Sequence, residues 1–280
     1  LPLSVYYCNV LATAVLRLNR KILSGIVLVI IALLTIMSGG YVLLLTLLCV
    51  SLIGMRELYN AMGVHKSGMD LLELAGYLGA VLYYGTVFLG FEKYGMMAVI
   101  LSLVLLMFVY VFTYPKYQAE QVMSAFFGLV YVAVMLSFIL LTRNLENGHL
   151  LVWLIFFCSW GCDTCAYCVG VLIGKHKMAP VLSPKKSIEG AVGGVAGAAG
   201  LGAVYAAIIH APVVEYAVIC AVGALISMVG DLAASAIKRN RGIKDYGKLI
   251  PGHGGILDRF DSVIFTAPVI YYMAKFILGI

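Results

Sequence analysis

The sequence predicts an all-α protein that crosses a membrane about nine times. Hydrophobic residues make up 63% of the 280 residues, charged residues only 11%, and the mean hydropathy is +1.03. A soluble domain carries roughly a quarter charged residues, so this chain lacks the polar groups to cover its own surface. Uncharged apolar stretches of helix-spanning length recur along the chain without the alternation of barrel strands. We therefore expect a polytopic transmembrane helical bundle.

The apolar stretches define the candidate spans in order. They lie at residues 22–38, 41–55, 72–91, 95–114, 121–141, 150–173, 190–210, 214–237 and 262–280. Residues 1–16 are apolar and lack an initiating Met and a basic leading region, so we expect residues 1–21 to form an interfacial segment or an expression remnant rather than a signal peptide. Residues 22–148 would form an N-terminal group of helices. Residues 149–280 would form a C-terminal group with two polar loops, 174–189 and 238–261.

The basic residues between these spans are unevenly distributed. If the spans alternate in direction, 16 of the 19 Lys and Arg residues fall on one side, and Lys93, Arg143 and Lys275 fall on the other. Cytoplasmic loops carry such an excess, so we expect a cytoplasmic N-terminus. The same asymmetry accounts for the formal charge of +6 without nucleic-acid binding. One span more or fewer would scatter the basic loops over both faces.

Small residues mark the packing surfaces of the C-terminal helices. The span 190–210 begins with a run of glycine and alanine, which lets helix backbones approach closely, so we expect it inside the bundle. Six of the seven cysteines lie in apolar stretches and are expected to be small buried residues. The spacing of Cys162, Cys165 and Cys168 could suggest an iron–sulfur centre, but such ligands normally lie on a loop with a fourth cysteine.

Two carboxylates, Asp163 and Asp231, fall within predicted spans, each toward the cytoplasmic end. Burying a carboxylate in a span is costly unless a cation, a metal or water compensates it, so each residue indicates a functional site. Pairing with a nearby lysine at a helix end is the simpler alternative. Ion coupling in a secondary transporter is another, although that role favours the middle of the membrane.

The loop 238–261 combines carboxylates, basic residues and a glycine-rich turn. The charged residues are Asp245, Asp258, Asp261, Lys238, Arg239, Arg241, Lys244, Lys248 and Arg259. Mg²⁺ takes one or two carboxylates and completes its shell with phosphate oxygens and water. In Pro251-Gly252-His253-Gly254-Gly255, the glycines allow backbone N–H groups to approach an anion. Together these features predict a site for a metal-bound polyphosphate at the membrane face.

A family resemblance covers roughly the C-terminal half of the chain. The segment from Ser235 to Asp261, SAIKRNRGIKDYGKLIPGHGGILDRFD, resembles the signature of the phosphatidate cytidylyltransferases, also called CDP-diacylglycerol synthases. Asp163-Thr164 with Ala166-Tyr167, and residues 183–190 (SPKKSIEG), are similar to two further segments of that family. The family usually has glycine where this chain has Cys165, a difference that affects helix packing more than catalysis.

The resemblance implies an enzyme of phospholipid biosynthesis that transfers a cytidylyl group from CTP to phosphatidic acid. The lipid phosphate attacks the α-phosphorus of CTP, and the products are CDP-diacylglycerol and pyrophosphate. Catalysis of this kind is mostly positioning and charge neutralisation. A phosphate monoester with a second pKa near ~6 is already largely ionised, so we expect His253 to bind phosphate or shape the turn rather than act as a base.

The resemblance also implies roles for individual residues in the C-terminal catalytic helices. Mg²⁺ is the implied cofactor, held by Asp231 and Asp258, and a second metal ion is left open. Further catalytic residues are Lys238, Arg239, Lys244, Asp245, His253, Arg259 and Asp261, and substrate contacts come from Asp163, Lys185, Lys186, Ser235, Gly254 and Gly255. CTP, phosphatidic acid and membrane lipids are the expected partners, a homodimer is left open, and the site would face the cytoplasm from the inner (plasma) membrane.

Three points stay open. Tyr167 and Trp160 could stack on the cytosine base, although the interfacial aromatic belt is the favoured interpretation. The amphipathic stretch 56–73 is expected on the membrane surface. A CTP-using dolichol- or phytol-type kinase is the nearest rival function, and it would release CDP in place of pyrophosphate.

Overall fold

The computed structural model describes residues 25, 27, 29–65, 68, 70–250 and 254–280. The segment 1–21, with its expected interfacial role, and residues 251–253, which include His253, lie outside the described residues. In the described chain, eight helices are long and apolar enough to cross a membrane, and a shorter apolar helix precedes them. The prediction of a polytopic helical bundle with about nine spans is confirmed.

The helices follow the predicted order, and the structure adds a short β-hairpin that the all-α prediction did not include. The helices are α1 (Val29–Ser38), α2 (Gly40–Met62), α3 (Leu71–Phe88), α4 (Gly95–Phe112), α5 (Ala119–Arg143), α6 (Gly148–Ile173), α7 (Ile188–Ile208), α8 (Val213–Asn240) and α9 (Leu257–Leu278). Short π-helical stretches interrupt α5 at Leu129–Val134 and α6 at Phe157–Gly161, and a 3₁₀ turn, Glu92–Tyr94, precedes α4. Strands β1 (Lys177–Ala179) and β2 (Ser183–Ser187) form an antiparallel hairpin between α6 and α7.

Within the described residues, two helix boundaries differ from the predicted spans by five residues or more. α2 continues to Met62, and α9 begins at Leu257, five residues before the predicted start. The expectation that 56–73 lies on the membrane surface is wrong for its two glutamates, because Glu57 and Glu73 are buried at 7% and 1% exposure. Each carboxylate has hydrogen-bond partners inside the protein, which hydropathy cannot reveal.

Cysteines of α6 and α8 pack against glycines of α7 and α8. The pairs are Cys158 with Gly223, Cys162 with Gly194, Cys165 with Gly197, and Cys220 with Gly202. At each pair, a Cβ atom on the glycine would lie 2.5 to 3.0 Å from the thiol sulfur, which is too close for any larger residue. The expected burial is confirmed for Cys158, Cys162 and Cys220, Cys165 is partly buried, and the expectation is wrong for Cys49 and Cys168, which are exposed.

The small residues place α7 against α6 and α8, but they do not surround it. Its side chains Val192, Val204 and Ile208 are 61% to 70% exposed, because α7 packs through one glycine-rich side only. The expectation that this helix lies inside the bundle is therefore wrong for its outer face. That outer face is apolar and suited to lipid.

The N-terminal helices pack around Tyr59 on α2. This side chain is fully buried, and its hydroxyl donates a hydrogen bond of 2.8 Å to the Ala125 carbonyl on α5. Glycines on α3 and α5 make room for the ring, since a Cβ atom at Gly76 or Gly128 would overlap it. The N-terminal helices reach the C-terminal group where α2 and α5 contact α9.

Candidate active site

The candidate site forms where α8 crosses the first turns of α9. One face of α8 carries Asp231, Ser235 and Lys238, which are spaced by four and three residues and so lie in one row. Asp258 and Asp261 lie three residues apart on α9. The helices approach closely at Gly230, where a Cβ atom would lie 3.0 Å from the Asp261 carbonyl oxygen. This crossing brings the face of α8 that carries Asp231 close to the face of α9 that carries Asp258 and Asp261.

Asp258 connects α8, the loop after it and α9. We expected this residue in the glycine-rich loop, but it lies in the first turn of α9, and its side chain is only 4% exposed. One oxygen accepts a hydrogen bond of 2.9 Å from Lys238 Nζ, and the other accepts from the N–H groups of Tyr246 and Gly255 at 2.8 and 2.9 Å. A carboxylate has about four acceptor positions, so three donors leave room for one more ligand.

Tyr246 is a residue of this site that our reading of the sequence missed, although it lies within the signature segment. It is buried, its hydroxyl donates to the Ala234 carbonyl at 3.1 Å, and Lys238 Nζ lies 5.3 Å from the centre of its ring. Burial, together with the charges of Asp258 and Asp261, raises the pKa of its phenol above the ordinary value. The neutral phenol thus helps to hold Lys238 beside Asp258.

Lys186 of β2 forms an ion pair with Asp231 of α8. The two side chains are 24% and 26% exposed and both line the cavity described below, although the Lys186 Nζ atom itself is buried. Asp231 thus has the lysine partner that we considered as the simpler explanation for its position in a span. The lysine comes from the hairpin and not from the same helix end. Asp163 and Asp261 lie close enough to interact electrostatically with Asp231, so three carboxylates lie near one another at this position.

A cavity of about 580 Å³ opens beside this ion pair, between α6, the hairpin, α7 and α8. Its charged lining residues are Asp163, Lys177, Lys185, Lys186 and Asp231, and hydroxyl groups come from Tyr167, Ser183 and Ser187. Apolar side chains, including Val171, Met178 and Met228, form the rest of the wall. Tyr167 and Val171 are 73% and 68% exposed on the outer side of α6. The cavity therefore offers charged groups and an apolar surface to one ligand.

The remaining predicted site residues are arranged around this centre. Arg239 in the last turn of α8 is exposed, as are Lys244 and Asp245 in the loop that follows, and Arg239 Nη1 donates to the Ile243 carbonyl at 3.2 Å. Arg259 is exposed and within electrostatic reach of Asp163, while its carbonyl accepts a 3.4 Å hydrogen bond from Trp160 Nε1. These basic groups can serve an anion at the outer edge of the site.

The glycines of the loop have a structural role next to their predicted role in binding. Gly254 has a φ of +86°, and a Cβ atom there would lie 2.8 Å from Asp258 Oδ2. Gly255 is buried, and its N–H group, which we expected to face a substrate anion, donates to the carboxylate of Asp258. The following N–H groups, of Ile256 and Leu257, donate to Glu57, a second residue that our reading of the sequence missed.

The donor set fits a metal that arrives with phosphate groups. Within the described ranges, no group of three or more His, Cys, Asp or Glu side chains is arranged to hold a metal ion. The interpretation of Cys162, Cys165 and Cys168 as iron–sulfur ligands therefore has no support from the described residues. Mg²⁺ needs only one or two protein carboxylates when phosphate oxygens and water complete its shell. Asp231 and the acidic face of α9 provide that number.

Comparison with known proteins decides the family. The family model described as "Cytidylyltransferase family" matches residues 19–277. The chain belongs to the cytidylyltransferase family. A phosphatidate cytidylyltransferase of Bacillus subtilis is 29% identical to it over 268 residues, which are 91% of this chain and 97% of that protein. One from Staphylococcus aureus is 31% identical over 260 residues, or 89% and 96% of the two chains.

A phosphatidate cytidylyltransferase of Synechocystis is 41% identical over 140 residues. This match covers 49% of the present chain and spans 47%, about half, of that relative. The predicted resemblance to this family is confirmed, and the matched range of the cytidylyltransferase family extends it from the C-terminal half to both groups of helices. The transporter alternative has no support in these comparisons.

Proposed function

We propose that this protein transfers a cytidylyl group from CTP to phosphatidic acid at the crossing of α8 and α9. Its family and the names of its relatives support CTP-dependent synthesis of CDP-diacylglycerol. The observation in this chain that carries the proposal is the cavity with both charged and apolar walls, which is lined by the ion pair of Lys186 with Asp231. A lipid phosphate bound there would lie next to groups suited to a triphosphate.

The site offers both substrates the charges that they need. Phosphatidic acid and CTP are both anionic, so bringing them together requires cations at fixed positions. Lys186 and Lys238 are each held by a carboxylate, Asp231 and Asp258 respectively. These ion pairs fix the ammonium groups near the crossing, from which they can serve the phosphates of either substrate. No group needs to act as a strong base, because the attacking lipid phosphate is already ionised.

The lipid would occupy the cavity between α6 and α8. Lys177, Lys185 and Lys186 can bind its phosphate, and the apolar wall suits the diacylglycerol part. Val171 of α6 lines the cavity, and it and the neighbouring Leu172 are apolar side chains exposed on the outside of the bundle. We propose that the lipid enters sideways along this surface, while CTP comes from the cytoplasmic side that the basic loops indicate.

Magnesium would be held by Asp231 together with the acidic face of α9. The predicted pair is Asp231 and Asp258, and Asp261 lies on the same face of α9 within electrostatic reach of Asp231. The bound ion would neutralise phosphate charge during the transfer. We expect chelation of divalent metal to abolish turnover and added Mg²⁺ to restore it.

The test is an assay of the purified protein in lipid nanodiscs with CTP, Mg²⁺ and phosphatidic acid. We expect pyrophosphate and CDP-diacylglycerol to appear in equal amounts. Release of CDP together with phosphorylation of an added polyprenol, and no reaction with phosphatidic acid, would instead show the kinase function.

A further inference from the structure

We propose that Glu57 is a positioning residue that holds the glycine-rich loop and the start of α9 in place from the other half of the bundle. Its Oε1 accepts a hydrogen bond from the Ile256 N–H at 3.0 Å, and its Oε2 accepts one from the Leu257 N–H at 2.8 Å. The partners are 199 and 200 residues apart in sequence. The effect on activity described below rests on the proposed function, whereas the contact itself does not.

Glu57 supplies the cap that α9 lacks locally. The first N–H groups of a helix have no partner within it, and a carboxylate at this end also interacts favourably with the helix dipole. The residue before α9 is Ile256, whose side chain cannot accept a hydrogen bond. Glu57 therefore takes the place of the usual Ser, Thr, Asp or Asn. Without it, two N–H groups of a buried helix end would lose their acceptor.

The same carboxylate also accounts for two glycines of the loop. A Cβ atom at Gly247 or at Gly255 would overlap Glu57 Oε1, so both backbone segments lie directly against the glutamate. Glu57 thus contacts the loop at Gly247 and at Gly255, and it also contacts the first turn of α9. Part of the glycine content of the loop follows from this contact, in addition to any contact with substrate.

Glu57 acts on the site through Asp258. Three successive N–H groups are divided between two carboxylates, because Gly255 donates to Asp258 while Ile256 and Leu257 donate to Glu57. Fixing the latter two therefore fixes the turn from which Asp258 and then Asp261 project. Glu57 is 7% exposed and is not among the residues that line the cavity. It orients the reactive groups and does not contact substrate.

Amide hydrogen exchange measured by mass spectrometry tests the contact without using the activity. We expect slow exchange of the Ile256 and Leu257 amides in the wild type, and exchange on the order of 10-fold faster in Glu57→Gln, whose side chain presents one donor group where an acceptor is needed. Glu73→Gln is the matched control, since Glu73 is equally buried but contacts His65 and Tyr77. It should leave exchange at Ile256 and Leu257 unchanged.

Kinetics then separate positioning from a general loss of stability. A misplacement of about 1 Å can lower the rate on the order of 100-fold, so we expect such a fall in kcat for Glu57→Gln with an unchanged KM for phosphatidic acid. Glu57→Asp, which keeps the charge, should recover part of kcat, and Glu73→Gln should retain the wild-type value.

Equal exchange and equal kcat in wild type and Glu57→Gln would overturn the inference. If Glu57→Gln does not fold, Glu57→Asp decides, because its shorter side chain should still speed exchange at both amides, and unchanged exchange would count against the role. A wild-type protein that makes no CDP-diacylglycerol would refute the proposed function, but the exchange experiment would still test the contact.

Discussion

Two carboxylates, one in each half of this bundle, lie in different surroundings. In the N-terminal half, Glu73 is bound by the Tyr77 hydroxyl at 2.5 Å and by His65 Nδ1 at 2.6 Å, and only 1% of the residue is exposed. In the C-terminal half, Asp231 remains 26% exposed beside a cavity and shares its surroundings with other carboxylates. A carboxylate whose partners are all internal stabilises the fold. One whose lysine partner also faces a cavity can exchange that partner for a ligand.

Asp258 accepts three hydrogen bonds that join α8, the loop and α9, and its replacement should have the largest effect. Asp258→Asn would replace an oxygen that accepts two backbone hydrogen bonds, or the one that holds Lys238, by an amide NH₂ group. We expect turnover to fall on the order of 10³-fold in the nanodisc assay, with the protein still folded and inserted. Wild-type turnover in this variant would remove Asp258 from the site.

A substitution of Lys186 tests whether the ion pair between Lys186 and Asp231, beside the cavity, serves a ligand. Lys186→Met should lower kcat/KM for phosphatidic acid about 100-fold, because a fixed cation is lost beside the cavity. The matched control is Lys116→Met, which removes a surface ion pair with Asp70 in the N-terminal half. The control should keep wild-type kinetics, and equal effects of the two substitutions would refute the distinction between the halves.

Glu73 should affect stability and leave the chemistry alone. Glu73→Gln exchanges a charged acceptor of two buried hydrogen bonds for a neutral amide, so we expect a loss of about 2 kcal/mol in the free energy of unfolding. Denaturation in detergent measures this change. A fall in kcat without any loss of stability would mean that Glu73, like Glu57, acts on the reaction.

Cys165 should have the smallest effect. Cys165→Gly introduces the residue that the family usually has, and Cys165 only packs against Gly197. Gly in a helix costs about 1 kcal/mol relative to Ala, so we expect a slight loss of stability and full activity. Loss of activity with unchanged stability would give this thiol a role that its packing does not suggest.

The sequence alone predicted much of the site but little of its support. Asp258 and Lys238 could be predicted because they lie within one contiguous signature, and Asp231 because a carboxylate inside an apolar span is unusual. Hydropathy located the spans because lipid selects long apolar helices. Glu57 could not be found in this way, since its hydrogen-bond partners are about 200 residues away and a hydropathy profile treats every glutamate as exposed. The early start of α9 was not predicted either, because its first turns carry Asp258 and Asp261, and a hydropathy profile treats such charged residues as exposed. The pairing of Lys186 with Asp231 likewise depends on how the hairpin folds over α8.

The most direct test of the central claim follows the phosphorus atoms of CTP. The protein is supplied with phosphatidic acid, Mg²⁺ and CTP labelled at either the α- or the γ-phosphorus, and the lipid product is then separated from pyrophosphate. Cytidylyl transfer predicts that the α-label enters the lipid and that the γ-label leaves as pyrophosphate, with both signals strongly reduced in Asp258→Asn. Entry of the γ-label into the lipid would contradict the account.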